Sequence, residues 1–177
     1  EIRNYTAVKK ALLYFDATWS KKSYREVREL CRKHRPDIAH LHNTLPLISP
    51  SAYYACKEES VPVVQTLHNY RLICPNGTLL RNGKICEECI GNDLSPALKH
   101  RCYRDSYIQT RAIVRMLKKH RKRGSYEKMV DRYIALTEFS RQKFIQGGFS
   151  AEKIIVKPNF LPDNPQANYG GDYAVYV

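Results

Sequence analysis

No stretch of the 177-residue chain approaches the roughly 20 consecutive apolar positions that a membrane-spanning helix needs. The opening "EIRNYTAVKK" has none of the apolar core of a secretory signal. Internal repeats and low-complexity tracts are missing as well. Negative charge is scarce, with 17 Asp and Glu against 30 Lys and Arg, a net +13. These absences argue against a transmembrane span or a repeat solenoid. They make a cytoplasmic location the expectation, a setting in which free thiols and thiolate–metal bonds outnumber disulfides. What is present, 43% hydrophobic and 27% charged, suits a globular chain with one buried core. The positive surplus points to anionic partners, whether nucleic acid, lipid headgroups or phosphorylated ligands. It is densest in "RMLKKHRKR", Arg115 to Arg123.

Apolar periodicity organises the chain. "SKKSYREVRELCRKHRP" sets Tyr24, Val27, Leu30 and Cys31 at helical spacing and stops at Pro36. "DIAHLHN" follows with the length of a strand, then "SPSAYYACKEES" predicts a second helix capped near Ser49. "VPVVQTLHN" is β-branched and strand-like. Beyond a polar loop, "DSYIQTRAIVRMLKKHRKR" predicts an amphipathic helix with Ile113, Met116 and Leu117 inward. "DRYIALTEFSRQKFIQGGFS" gives a strand, a capping Thr137, a helix and a Gly147–Gly148 stop; "AEKIIVKPNF" gives a last strand. Alternating strands and helices imply an α/β fold, a Rossmann-like parallel sheet with helices on both faces. Ligands of such sheets lie beyond the carboxyl ends of the strands. His40 and His42 in "HLHN" and His68 in "TLHN" fall at those ends.

The loop itself carries four cysteines, Cys74, Cys86, Cys89 and Cys102, spaced C-x11-C-x2-C-x12-C. One close thiolate pair plus two ligands brought in by the fold suits a structural zinc site. Lys84, Lys99, Arg101 and Arg104 offset its charge, and His100 is a substitute ligand. A Cys86–Cys89 redox pair and two disulfides are the rival readings, the first lacking a thioredoxin-like context and the second an oxidising compartment. Cys31 and Cys56 sit on helical apolar faces and read as core.

Four phrases in order carry a resemblance: "RPDIAHLHN", "VPVVQTLHNYRLICPNG", "RYIALTEFSRQKFIQGGF" and "AEKIIVKPNF". Together they resemble the acceptor-side domain of family 4 glycosyltransferases, retaining enzymes built from two facing Rossmann-like domains, the GT-B architecture. The cysteine loop is similar to that of a bacterial subgroup making surface polysaccharides and lipid-linked glycans. The resemblance implies one half of a GT-B fold. Residues 1–160 form the acceptor-side domain with the cysteine loop at 70–104, 161–171 a linker and 172–177 the start of a donor-binding domain. It implies a fragment that lacks the first strand with its Gly-rich loop, so that this chain alone is inactive. The nucleotide-sugar donor would be bound mainly by the absent C-terminal domain. His68 is then the catalytic residue, placed in the interdomain cleft near the donor phosphates. Asn69, Tyr70, Arg71 and His42 are the substrate-binding residues beside it. His40 reads as a core histidine, and Lys157 and Asn159 fall at the domain junction.

Two partner readings remain for the basic segment. A helix at 111–123 with an apolar stripe and a cationic face suits an anionic membrane, as an enzyme acting on glycan or lipid-linked acceptors would need. The alternative is a zinc-containing nucleic-acid-binding module, a cysteine loop beside a basic helix. It leaves the strand–helix alternation and the strand-end histidines unexplained, and no RNA-recognition or helix-turn-helix pattern accompanies it.

Overall fold

Ser20 opens the first helix, α1 (Lys21–His34), by accepting a hydrogen bond from the Ser23 amide at 3.1 Å. This is a computed structural model, and it describes residues 17–45, 48–91 and 93–160. The expected linker at 161–171 and the start of a donor-binding domain at 172–177 lie outside the described residues. Arg35 ends α1 in the left-handed region (φ 46°), and Pro36 prevents its return. Cys31 is buried and Val27 packs on the core, but Leu30 is 56% exposed. The expected apolar face is therefore narrower than the spacing suggested.

Residues Ser51–Glu58 form α2, which packs against α1. Ser49 was expected to cap it; instead Pro50 takes the cap position without a side-chain bond. The Ser49 hydroxyl accepts the Ser20 amide at 2.9 Å, tying the starts of the two helices together. At their other ends, Glu59 receives Arg28 at 2.6 Å and Arg32 at 2.9 Å.

Four strands form one parallel sheet: β1 (Ala39–Leu41), β2 (Val63–Leu67), β5 (Arg132–Ala135) and β6 (Ile154–Val156), in the order β1-β2-β5-β6. Ala39 lies opposite Val63, Val64 opposite Arg132, and Tyr133 opposite Ile154. The inner strand β2 is buried along nearly its whole length, as parallel strands covered by helices are. Asp131 fixes its start, accepting the Val63 amide at 2.7 Å and Lys57 at 2.6 Å. Burial works to raise this carboxyl, but the Lys57 and Val63 hydrogen bonds outweigh it and hold its pKa below the usual range. The core fills with Tyr53, Tyr133, Phe144, Ile113, Met116 and Leu117, all fully buried.

Between β2 and β5 the chain makes a small hairpin, β3 (Leu80–Arg81) and β4 (Lys84–Ile85). Asn82 (φ 52°) and Gly83 (φ 74°) turn it, the positive angles that a two-residue hairpin requires. Helices α3 (Ser95–Lys99), α4 (Tyr107–Lys122) and α5 (Ser125–Lys128) follow, and α6 (Glu138–Gln146) comes after β5. Thr137 caps α6 as expected, accepting the Ser140 amide at 3.0 Å. The Gly pair after it divides its work. Gly148 alone takes a positive φ (91°), while Gly147 (φ −77°) leaves room for Ile73.

In α4 the basic stripe is thinner than "RMLKKHRKR" suggests. Met116, Leu117 and His120 are buried. Arg121 turns inward, donating to the Leu72 carbonyl at 2.8 Å. Arg111, Arg115, Lys118, Lys122 and Arg123 face solvent. No helix among the described residues is long and apolar enough to cross a membrane.

Candidate functional site

The carboxyl ends of β1 and β2 run out side by side, and each ends in Leu-His-Asn: Leu41-His42-Asn43 and Leu67-His68-Asn69. Parallel pairing brings the two tripeptides together. Nδ1 of His42 and Nε2 of His68 share a hydrogen bond of 2.7 Å, their ring centroids 5.0 Å apart. Asn69 donates to the Asn43 side chain at 3.1 Å, and its own oxygen accepts the Arg71 amide at 3.0 Å. The residues line a shallow depression of about 30 Å³ at the sheet's carboxyl edge.

Both histidines of the pair are exposed. One nitrogen of the shared bond must carry the proton. If His42 donates, Nδ1 of neutral His68 is a donor toward a ligand; if His68 donates, that Nδ1 is an acceptor. Either tautomer leaves His68 one nitrogen for chemistry. His40, expected in the core, is exposed instead, its ring 4.4 Å from His42 and its Nε2 2.8 Å from the Thr66 hydroxyl. What burial it has, then His42, His68 and Lys157, hold its pKa below the ordinary 6.5. Lys157 supplies positive charge at this corner and the imidazoles supply hydrogen-bonding nitrogens, a combination suited to an anion.

Tyr70 and Arg71, two expected substrate contacts, have other partners as well. Tyr70 stacks on Phe144 (centroids 5.9 Å) and packs against the core, so it does not line the depression. Arg71 lines it, but its guanidinium donates to the Pro75 and Asn76 carbonyls at 3.4 and 3.3 Å and lies 5.0 Å over the Tyr103 ring. It braces the cysteine loop. Glu138 pairs with Arg141 at 3.0 Å and Gln142 at 2.6 Å, consistent with ordinary capping at that helix start.

Gln65 and Asn43 escaped the sequence reading. Gln65, buried in β2, accepts the Tyr53 hydroxyl at 2.8 Å and donates to the His42 carbonyl at 3.5 Å, so it positions the end of β1. A polar residue in the midst of "VVQTL" was its only signal. The repeated Leu-His-Asn was the signal for Asn43.

The four loop cysteines converge on a second, smaller cavity of about 10 Å³. His100, the expected substitute ligand, is exposed and does not line it. All six cysteines are free thiols, with Cys31 and Cys56 in contact with each other away from the loop. Burial first, and the neighbouring Cys74, push the Cys89 thiol up to about 11.

The model of one protein family, Glycosyltransferase Family 4, matches residues 3–164. No curated protein and no solved structure matches the chain. The match covers the whole parallel sheet, the histidine pair and the cysteine loop, and with it the chain belongs to glycosyltransferase family 4.

Proposed function

We propose that this domain forms the acceptor side of a retaining transferase that moves a sugar from a nucleotide-sugar to a glycan or lipid-linked acceptor. His68 is its residue nearest the reacting centre. One observation carries the reading: the His42–His68 pair at the carboxyl edge of a parallel sheet, in a corner where Lys157 adds positive potential. A second GT-B domain would hold the nucleotide.

The chemistry follows from what such a corner can offer. A sugar leaves a nucleotide when the bond between its anomeric carbon and a phosphate oxygen breaks and negative charge grows on that phosphate. An imidazole N–H aimed at the phosphate or at a sugar hydroxyl stabilises that charge. The acceptor hydroxyl oxygen forms its bond to the anomeric carbon on the face the phosphate leaves. Its proton passes to the departing phosphate, so configuration is retained. Asn69 and Asn43, bonded to each other, offer further amide donors and acceptors to hydroxyl groups.

The test is made on the protein that carries this domain with its donor-binding half. It is incubated with a panel of nucleotide-sugars and with lipid-linked and free glycan acceptors. Acceptor-dependent nucleotide release and a product with the donor's anomeric configuration are expected. Inverted product, or binding of nucleic acid with no transfer to any acceptor, would overturn the reading.

The cationic face of α4 belongs to the same proposal as a docking surface for anionic lipid. Arg111, Arg115, Lys118, Lys122 and Arg123 are exposed along it, and Ile108 is 70% exposed at its start. Each basic residue near such a surface contributes about 1 kcal/mol.

A further inference from the structure

We propose that Cys74, Cys86, Cys89 and Cys102 bind one zinc ion in a tetrahedral all-thiolate site that fastens the separate pieces of the cysteine loop to one another. The four come from separate pieces of chain: the turn after β2, the exit of β4, the turn beyond it, and the segment after α3. All four line the same small cavity.

Size selects the ligand. A space of about 10 Å³ holds about one atom-sized guest, whereas an iron–sulfur cluster would need room for several iron and sulfide atoms. Zinc–sulfur bonds are about 2.3 Å, which sets the sulfurs of a tetrahedron about 3.8 Å apart. Among the described residues no three His, Cys, Asp or Glu side chains already stand in a metal-holding arrangement. Binding the ion therefore requires the four sulfurs to move toward one centre in the cavity that they line. Four thiols lose their protons to solvent, and the resulting centre carries a net double negative charge.

Arg81 supplies a second, independent observation. It lines the cavity, and its buried Nη1 has no hydrogen-bond partner. Its other terminal nitrogen, Nη2, pairs with Glu88. An orphaned buried donor costs stability, and a thiolate of the zinc centre is the acceptor it lacks. Charge and hydrogen bonding are answered together.

The loop also needs such a fastening. Its hairpin strands have two residues each, and Leu80 and Ile85 are 48% and 79% exposed. A hairpin of that size does not hold itself together in water. Lys143 of α6 reaches Glu87 at 2.7 Å, and beyond that ion pair the cavity is where the four segments meet. Cys74 lies three residues beyond Arg71, and Cys102 adjoins Tyr103 under the Arg71 guanidinium. The metal thus anchors both ends of the brace beside the histidine pair.

The experiment measures metal in the full chain, purified without a metal-affinity tag. About one zinc per chain by elemental analysis is expected, retained in Cys31→Ser and Cys56→Ser and lost in Cys86→Ser. Arg81→Met should retain zinc about 10- to 100-fold more weakly against a chelator. Because Cys86→Ser can fail to fold, the wild-type chain is also stripped and refilled with cobalt alone. Thiolate-to-cobalt charge-transfer bands with the ligand-field pattern of a tetrahedral thiolate site are expected. In the zinc form, the four loop thiols should resist a thiol reagent until the ion is chelated. Four freely reactive thiols in the protein as isolated, two disulfides by mass spectrometry, or iron with sulfide absorption would each overturn the proposal.

Discussion

Gly147→Ala puts a methyl carbon where Ile73 already stands. A Cβ at this position would lie 2.3 Å from Ile73 Cγ2 and 3.1 Å from its Cβ, with the Phe144 carbonyl oxygen at 3.3 Å. Carbon atoms rest at about 3.5–4.0 Å, so the methyls must part by more than about 1 Å. Backbone conformation is no obstacle, since Gly147 has φ −77°. Ile73 cannot simply rotate away. It is fully buried, β-branched, and held in the turn where the Ile73 and Cys74 amides both donate to the Tyr70 carbonyl, at 2.9 and 2.7 Å. The whole turn must shift. Overpacking of this kind costs about 1–3 kcal/mol, and the loss of unfolded-state freedom on replacing Gly by Ala returns about 0.4–1 kcal/mol. The net is a destabilisation of up to about 2.6 kcal/mol, or a fall in Tm of up to about 10 °C for a chain of this size. Thermal and denaturant unfolding of Gly147→Ala, Ile73→Ala and the double variant measure it. Ile73→Ala alone should cost about 2–5 kcal/mol, and in that background Gly147→Ala should cost nothing or stabilise. Equal cost in both backgrounds, or a more stable single variant, would refute the steric argument.

Other outcomes follow from the same structure. His120 is fully buried, its Nε2–H donating to the Thr18 carbonyl and its Nδ1 2.8 Å from the Ser125 hydroxyl. Burial lowers its pKa below 6.5, so the unfolded chain binds the extra proton first. Its contribution to stability is therefore complete above about pH 6.5 and is lost as pH falls below that value; His120→Gln should flatten the acid limb of a Tm-against-pH curve. Gln65→Leu removes the shorter of the two hydrogen bonds of the buried Tyr53 hydroxyl, leaving it Thr44 at 3.3 Å, and should cost about 1–3 kcal/mol in denaturant unfolding. Lys118→Glu with Lys122→Glu should lower flotation of the intact enzyme on anionic vesicles and leave neutral vesicles unaffected; equal flotation would remove the docking surface.

The parallel sheet was legible in the sequence because strand-length β-branched runs alternate with helical periodicity, and both patterns come from burial. The histidine pair was legible only as far as strand ends reveal themselves. Which nitrogen meets which depends on how β1 and β2 register, and "HLHN" and "TLHN" are too far apart in sequence to show it. Two expectations drawn from residue type differ from the structure, because packing and not residue type decides exposure. Leu30 of the apolar stripe turns to solvent, and Arg121 of the basic segment turns inward to the Leu72 carbonyl. Ser49 differs for a related reason: its hydroxyl is taken by the amide of Ser20, a partner 29 residues away that no local signal announces. The cysteine spacing announced four thiols in one loop, and the fold adds Arg81, whose orphaned nitrogen no spacing rule would have found.

The most direct test of the account is the turnover of His68→Ala beside His42→Ala in the intact transferase, each at a temperature well below its unfolding. Losing the donor at the reacting centre should lower kcat about 100-fold or more. Losing only the 2.7 Å bond that orients it should cost about 2- to 12-fold, the equivalent of one exposed hydrogen bond. A His68→Ala enzyme with near-normal turnover, or a His42→Ala enzyme the more damaged of the two, would contradict the placement of His68 at the chemistry.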